Sequence, residues 1–145
     1  MTQYTREQIL SMPVGRELNK LAATEVMGWL MYHYDKDVAE NCYYVLVDEE
    51  FESVSNALDP ECETEEEAWN HCPDFSGDIA AAWELVKILS KKYGVEVYEN
   101  AGPSSECKLY PRGKTPIHVI SATTTEAITK AAILAMMEKS GGTDS

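Results

Sequence analysis

Three short β-strand candidates in the second half of the chain restrict its fold more than any other sequence feature. They are VEVYEN (residues 95–100), ECKLYP (106–111) and PIHVISA (116–122), and the first alternates apolar with polar side chains. The segments AGPSS and RGKTP between them are rich in turn-forming residues. A parallel connection needs about a dozen residues or more, so connections this short predict an antiparallel sheet.

Two helical blocks and one strand are predicted in the first third of the chain. Thr5 and Gln8 have the spacing of a capping box at the start of TREQILSM. The segment GRELNKLAATEVMGW (15–29) repeats apolar residues at helical spacing, which indicates an amphipathic helix that ends near Gly28. CYYVLV (42–47) is β-branched and aromatic, as is typical of a buried strand.

The strongest helical pattern runs from Ser76 to Tyr93. Ile79, Trp83, Val86 and Leu89 or Ser90 fall on one face at helical spacing, and we expect this face to be buried. Gly94 follows in the position typical of a residue that ends a helix.

A last helix, EAITKAAILAMMEK, completes the predicted order of elements. Thr123 and Glu126 have capping-box spacing at its start. The order helix–helix–strand–helix–three strands–helix predicts an α+β protein, a three-layer α/β/α sandwich with a small, mainly antiparallel sheet between helices. We expect one domain over residues 1–139 with an acidic insertion around 48–70, and a disordered tail over 140–145.

The net charge of the chain restricts the classes of partner that it can bind. There are 25 Asp and Glu against 12 Lys and Arg, a formal net charge of −13. Such a surface repels long nucleic acids and anionic membranes and can attract basic partners. No apolar run approaches the ~20 residues that span a bilayer, and the first residues do not resemble a signal peptide. We expect a location in the host cell cytoplasm.

The segment NHCPDFSGD (70–78) raises the question of a metal or thiol site. His71 and Cys72 are adjacent, whereas structural zinc sites usually supply ligands as spaced pairs, so the segment is better explained as a helix start capped by Asp74 or Ser76. Nearby acidic residues disfavour a reactive thiolate at Cys72. Phosphate-loop and dinucleotide motifs are absent. We therefore expect neither catalysis nor a metal or cofactor.

One local feature departs from the acidic character of the chain. The segment KLYPRGKTPIH gathers three cations, a histidine and a tyrosine in one predicted hairpin, and the threonines of TTTE open the last helix. Cations, an aromatic ring and a helix start are the parts of a small phosphate or nucleotide site. The simpler alternative is a hairpin whose cations offset an acidic surface. The predicted ligand-binding residues are Lys108, Tyr110, Arg112, Lys114, His118, Thr123, Thr124 and Thr125.

Three segments together resemble the phage ABA sandwich domain family of tailed phages and prophages. They are TREQILSMPVGRELNKLAATEVMGW, FSGDIAAAWELVKIL and TTTEAITKAAILAMMEK. The resemblance rests on the patterns G-R-x-L-[ND]-x-L-x-A-x-x-V-M-G-W and [YF]-S-x-D-I-x-A-A-W-x-x-V. It implies an α/β/α domain from a phage or prophage gene and carries over no catalytic residue. Between residues 31 and 71 this chain departs from the pattern with a long acidic segment.

These observations favour a binding protein over an enzyme. The leading hypothesis is a phage counter-defence protein, assembled as a homo-oligomer, that sequesters a small phosphorylated ligand such as a signalling nucleotide. The second is an acidic inhibitor that docks on a basic host protein through residues 48–67. A metal-dependent nuclease or phosphodiesterase that uses acidic residues and His118, and a structural virion role, are further alternatives.

Overall fold

The computed structural model describes residues 4–35, 42–55 and 61–140. In chain order the elements are α1 (Arg6–Ser11), α2 (Arg16–Leu21) with a π-helical continuation (Ala22–Val26), β1 (Leu30–Asp35), β2 (Cys42–Val47), α3 (Glu65–Trp69), α4 (Ile79–Leu89), β3 (Tyr93–Glu99), β4 (Ser105–Pro111), β5 (Ile117–Ser121) and α5 (Thr124–Ser140).

The three predicted strands form one antiparallel sheet in the order β3-β4-β5, as their short connections require. Cys107, Leu109, Ile117 and Val119 are buried on one face. The alternate residues of the same strands, such as Tyr98, Tyr110 and Ile120, are exposed on the other. We call this second face the open face of the sheet.

Helix α5 is the centre of the molecule. Every residue from Ala127 to Ala135 is buried. The helix contacts all three strands of the sheet, and it also contacts α1, α2 and its continuation, and α4. Small alanine side chains let these elements approach it on several sides. The predicted α+β class, with small antiparallel sheets packed among helices, is confirmed.

A second sheet holds a strand that the sequence pattern did not reveal. Strand β1 pairs with β2 as an antiparallel hairpin, with Tyr32 opposite Val45. The predicted strand CYYVLV is confirmed as β2. Exposed side chains lie on both faces of β1. Its sequence, LMYHYD, therefore mixes apolar, aromatic and polar residues and lacks the alternation with a period of two that predicts a strand.

The predicted buried face of α4 is confirmed at Val86 and Leu89 and was wrong at Ile79 and Trp83. Its buried face consists of Ala81, Ala82, Leu85, Val86 and Leu89, while Ile79 and Trp83 are 52% and 47% exposed. Two small alanines allow close packing on α5, and this contact decided the orientation where hydrophobicity alone favoured the larger side chains.

The ends of α4 also differ from the prediction. Its cap is Asp78, whose carboxylate accepts from the Ala81 amide at 3.1 Å, rather than Asp74 or Ser76. The helix ends at Leu89, and Gly94 lies inside β3 rather than at a helix end.

The predicted caps of the first and last helices are present. Thr5 and Gln8 form a reciprocal capping box, and the Glu126 amide donates to the Thr123 hydroxyl at 3.2 Å. Residues 141–145 of the predicted tail, and residues 56–60 of the predicted acidic insertion, lie outside the described part of the chain. None of the helices that the structure describes combines the length and apolar character needed to cross a bilayer.

Candidate functional site

The structure separates the eight predicted ligand-binding residues into two groups. Ser105 pairs with Ser121 at one end of the β4–β5 ladder, and Leu109 pairs with Ile117 near the other. Arg112 and Lys114 follow the Leu109–Ile117 end, and together with Lys108, Tyr110 and His118 they form the first group. The threonines at the start of α5 follow the Ser105–Ser121 end and form the second group. Strand β4 spans about 20 Å at the usual rise per residue. The two groups therefore lie at opposite ends of this ladder, and their role in ligand binding stays a prediction.

Three residues of the first group lie on the open face and have acidic neighbours there. The Tyr110 hydroxyl donates to Glu96 at 2.8 Å, and His118 Nε2 lies 2.7 Å from Glu106 Oε1. The Lys108 ammonium lies over the Tyr98 ring, 5.7 Å from its centroid. Two carboxylates thus offset the local positive charge, as the simpler interpretation of the hairpin expected.

These contacts shift the acidity of the groups on the open face. Hydrogen bonds from Tyr98 and Tyr110 hold the pKa of Glu96 below its usual value. Hydrogen bonds from His118 and Asn100 lower the pKa of Glu106 in the same way. The bond to Glu96 raises the pKa of Tyr98 to about 12. The open face is therefore a network of paired polar groups.

The threonines of the second group line a cleft of about 570 Å³ between the first turns of α4 and α5 and the β3–β4 turn. The Thr124 hydroxyl is 3.0 Å from both Glu99 Oε2 and Ser105 Oγ. Thr125 donates to the Ser76 carbonyl at 2.8 Å. The cleft is rich in hydroxyls, but no Lys or Arg is among the described residues that line it, and the Glu99 carboxylate would repel an anion.

A second cleft holds the cations that the first one lacks. It encloses about 280 Å³, and we call it the α2–α3 cleft. It is lined by Gly15, Arg16, Asn19, Lys20, Trp69, Asn70, Cys72 and Asp74.

Two cations and an indole ring meet in the α2–α3 cleft. Arg16 and Lys20 lie one turn apart on α2, so they share a helix face. The Lys20 ammonium lies 5.2 Å from the centre of the Trp69 ring. The Arg16 guanidinium donates to the Asn70 side chain and to the Glu66 carbonyl, both at 2.8 Å. The Asp74 carboxylate shares this lining and accepts from the Asn19 side-chain amide. The two cations outnumber it, so the cleft offers net positive charge and an aromatic surface to one small ligand.

Cys72 lies in this cleft as a protonated thiol. Burial is the main cause that raises its pKa to about 11, and its sulfur faces the Asn19 carbonyl at 3.7 Å. The thiolate, the reactive form, is therefore scarce at neutral pH. Within the described residues no group of three or more His, Cys, Asp and Glu side chains is arranged to hold a metal ion.

The side chain of Asn19 links α2 to the segment that precedes α4. Its side-chain oxygen Oδ1 accepts from the Ser76 amide and the Ser76 hydroxyl, both at 2.8 Å, and its side-chain amide donates to Asp74 at 2.9 Å. Ser76 in turn accepts from the Gly15 amide at 3.0 Å. These bonds join the two sequence patterns that carry the family resemblance, because Asn19 belongs to the first and Ser76 to the second. They hold α2 against the start of α4.

The fold and its clefts define a small α+β domain with concave polar surfaces. The family model of the phage ABA sandwich domain matches residues 20–133, and the chain belongs to this family. The predicted resemblance is confirmed, and the helices and antiparallel sheets fit the sandwich in the family's name. No curated protein and no solved structure matched the chain in the corresponding comparisons.

The sequence analysis did not single out Arg16 and Lys20 as candidate site residues, although a signal was present. Their spacing of four places both on one helix face, but the helix was interpreted only by its apolar side. Trp69 is far from them in the sequence, and only the packing of α3 beside α2 brings it near. The charge cluster in KLYPRGKTPIH was more conspicuous because its members are adjacent in the sequence.

Proposed function

We propose that this phage protein is a non-catalytic accessory protein that binds and sequesters a small phosphorylated ligand, such as a signalling nucleotide, in the α2–α3 cleft. Arg16 and Lys20 would contact the phosphate, and the Trp69 ring would contact an aromatic part of the ligand. Sequestration would lower the free concentration of a host signal, which is a counter-defence role. It would act in the host cytoplasm, where such ligands occur.

The observation that carries this proposal is the convergence of two cations and an indole ring on one cleft. Its volume is close to the lower end of the range of about 300–1,000 Å³ that is usual for small-ligand pockets. Arg16 also lies 3.5 Å from Glu66, an exposed ion pair that phosphate could replace at low cost.

The first test is native mass spectrometry of the protein purified from expressing cells, compared with its denatured mass. We expect a homo-oligomer that carries a phosphorylated metabolite, released on denaturation. Calorimetric titration with AMP, adenosine and inorganic phosphate then defines which part of the ligand binds. We expect AMP to bind best, because it alone offers both a phosphate and a ring.

Variants locate the site. Arg16→Gln and Lys20→Gln should each weaken AMP binding at least ten-fold, since charge-assisted hydrogen bonds contribute about 1.5–3 kcal/mol. Trp69→Leu should weaken AMP more than phosphate. Arg112→Gln with Lys114→Gln is the matched control and should have no effect. If AMP binding is lost in that control alone, the ligand site lies on the hairpin and not in the α2–α3 cleft. If the unaltered protein binds none of the three probes, the proposal is contradicted.

An acidic protein–protein inhibitor is the second candidate function. The specific observation is that Glu49, Glu50, Glu52 and the three glutamates of α3 (65–67) are all exposed. Such a surface can attract a basic partner. Replacing Glu65, Glu66 and Glu67 by Gln should weaken such a partner and leave AMP binding intact or tighter, because Glu66 competes for Arg16. Loss of both activities in this variant would contradict the separation of the two surfaces.

A further inference from the structure

Exposed aromatic side chains gather on one face of the β1–β2 hairpin. Tyr32 and Phe51 are 42% and 62% exposed, and their rings meet edge to face at 5.5 Å. Tyr34 stacks on Tyr32 at 5.6 Å between ring centroids. Leu30, on the same face by strand alternation, is 42% exposed. We call these four residues the aromatic patch.

Carboxylates lie at both ends of the aromatic patch. At one end the Tyr34 hydroxyl donates to the Glu61 carboxylate. At the other, Glu49 Oε2 lies 3.0 Å from the position that a Cβ on Gly28 would occupy, two residues before Leu30. Glu50 and Glu52 flank Phe51 and are exposed.

Positive charge is scarce in this part of the sequence. Lys36 borders β1, and apart from it no Lys or Arg occurs between Lys20 and Lys87. Among the described residues of the segments that build the aromatic patch (28–35, 42–55 and 61), none is Lys or Arg. Exposed tyrosine and phenylalanine rings beside carboxylates complement a guanidinium group, which stacks on aromatic faces and pairs with carboxylates.

We propose that the aromatic patch is a docking surface for an arginine-containing basic segment of a partner protein. The rings would contact guanidinium groups, and Glu49, Glu50, Glu52 and Glu61 would supply the complementary charge. This inference rests on the second candidate function, names the residues that carry it and is independent of the α2–α3 cleft. Aromatic residues at interfaces supply much of the binding energy, while rim charges mainly speed association.

The test compares fluorescently labelled nona-arginine and nona-lysine peptides, which carry equal charge. Fluorescence anisotropy should show that nona-arginine binds more tightly. Phe51→Asn removes the ring and suits the backbone, because Phe51 has φ +64° and asparagine tolerates that region. Tyr32→Thr removes the neighbouring ring and retains strand propensity. Each variant should weaken nona-arginine about five-fold.

The matched control is Trp83→Gln, which removes an equally exposed ring from α4, away from the hairpin. It should not change either affinity. If Phe51→Asn and Tyr32→Thr behave like this control while nona-arginine still binds, the aromatic patch is excluded and the acidic-inhibitor function stands. If nona-arginine does not bind the unaltered protein at low salt, both are overturned. Thermal unfolding of each variant separates lost binding from lost folding.

Discussion

At the scale of single residues, Asn19 shows how a polar side chain can determine the packing of two helices. Its side-chain oxygen Oδ1 is the acceptor for two donors of Ser76, a residue that is 2% exposed. Asn19→Ala would leave both donors without their partner in a place that water reaches poorly. The expected loss is about 1–3 kcal/mol of unfolding free energy, measured by urea denaturation.

Asn100→Ala is the matched control for Asn19→Ala. Asn100 bonds to Ser104 and Glu106 at an exposed turn, where water replaces a lost partner. Its removal should cost about 0.5 kcal/mol or less. Equal losses in the two variants would contradict the central role of Asn19.

Glu96 provides a prediction on pH. Its pKa is below the usual 4.5 because two tyrosine hydroxyls donate to its carboxylate. A carboxyl whose pKa is lowered on folding stabilises the native state above its unfolded pKa, and this contribution is lost as pH falls through the folded pKa. Replacing Tyr98 and Tyr110 by Phe should raise the pKa of Glu96 toward 4.5 in an NMR titration of side-chain carboxyls.

Glu106 is the internal reference for that titration. Its low pKa depends first on His118 and then on Asn100, neither of which changes in the tyrosine variants. The pKa of Glu106 should stay in place while that of Glu96 moves. If neither moves, the tyrosine hydrogen bonds do not determine the acidity of this face.

At the scale of elements, the buried Lys130 of α5 pairs with a carboxylate of its own helix and joins α5 to α1. Lys130, only 2% exposed, donates to Glu126 at 2.6 Å and to the Leu10 carbonyl of α1 at 2.8 Å. Glu126→Ala would leave the ammonium buried without its carboxylate. We expect a loss of about 3 kcal/mol in unfolding free energy.

A double-mutant cycle tests the pair directly. Lys130→Met fills the same space without a charge, and Glu126→Ala in that background should cost much less than it does alone. Chemical denaturation of the four proteins gives the coupling energy. Additive costs would mean that Glu126 acts mainly through the first turn of α5 rather than through Lys130.

Most elements were predictable because their signals are local. Capping residues, short connections and alternation led to α1, α2, β2, the three-stranded sheet and α5, all of which the structure contains. Strand β1 and the orientation of α4 were not predictable in this way. Strand β1 lacks a clear period, and the buried face of α4 is decided by the close approach of Ala81 and Ala82 to the rest of the core, which depends on tertiary contacts.

At the scale of the whole molecule, the distribution of charge and rings explains why the sequence pointed to the hairpin and not to the α2–α3 cleft. Lys108, Arg112 and Lys114 are close in sequence, so their cluster is visible there. Arg16, Lys20 and Trp69 line one cleft only after two helices have packed. A cleft built from distant segments is therefore visible only in the fold.

The contacts of α5 with the three-stranded sheet and with α1, α2 and α4 lead to a prediction for truncation. A chain that ends at Ala122 retains the three strands and α4 but lacks the buried face they pack against. We expect this chain to be unfolded, with amide signals collapsed to a narrow range in a proton–nitrogen NMR spectrum. A dispersed spectrum would show instead that the sheet and α4 form a core without α5.

Helix α5 follows all the other described elements in the chain, and this has a consequence for synthesis in the infected cell. While the ribosome still holds residues 124–140, the earlier segments have no core to close on and remain accessible to chaperones and proteases. Folding can finish only after this helix has left the exit tunnel. Translation of a transcript that is cut short before this helix would therefore produce unfolded chains that proteases degrade. Any activity of the protein would then require an intact messenger RNA.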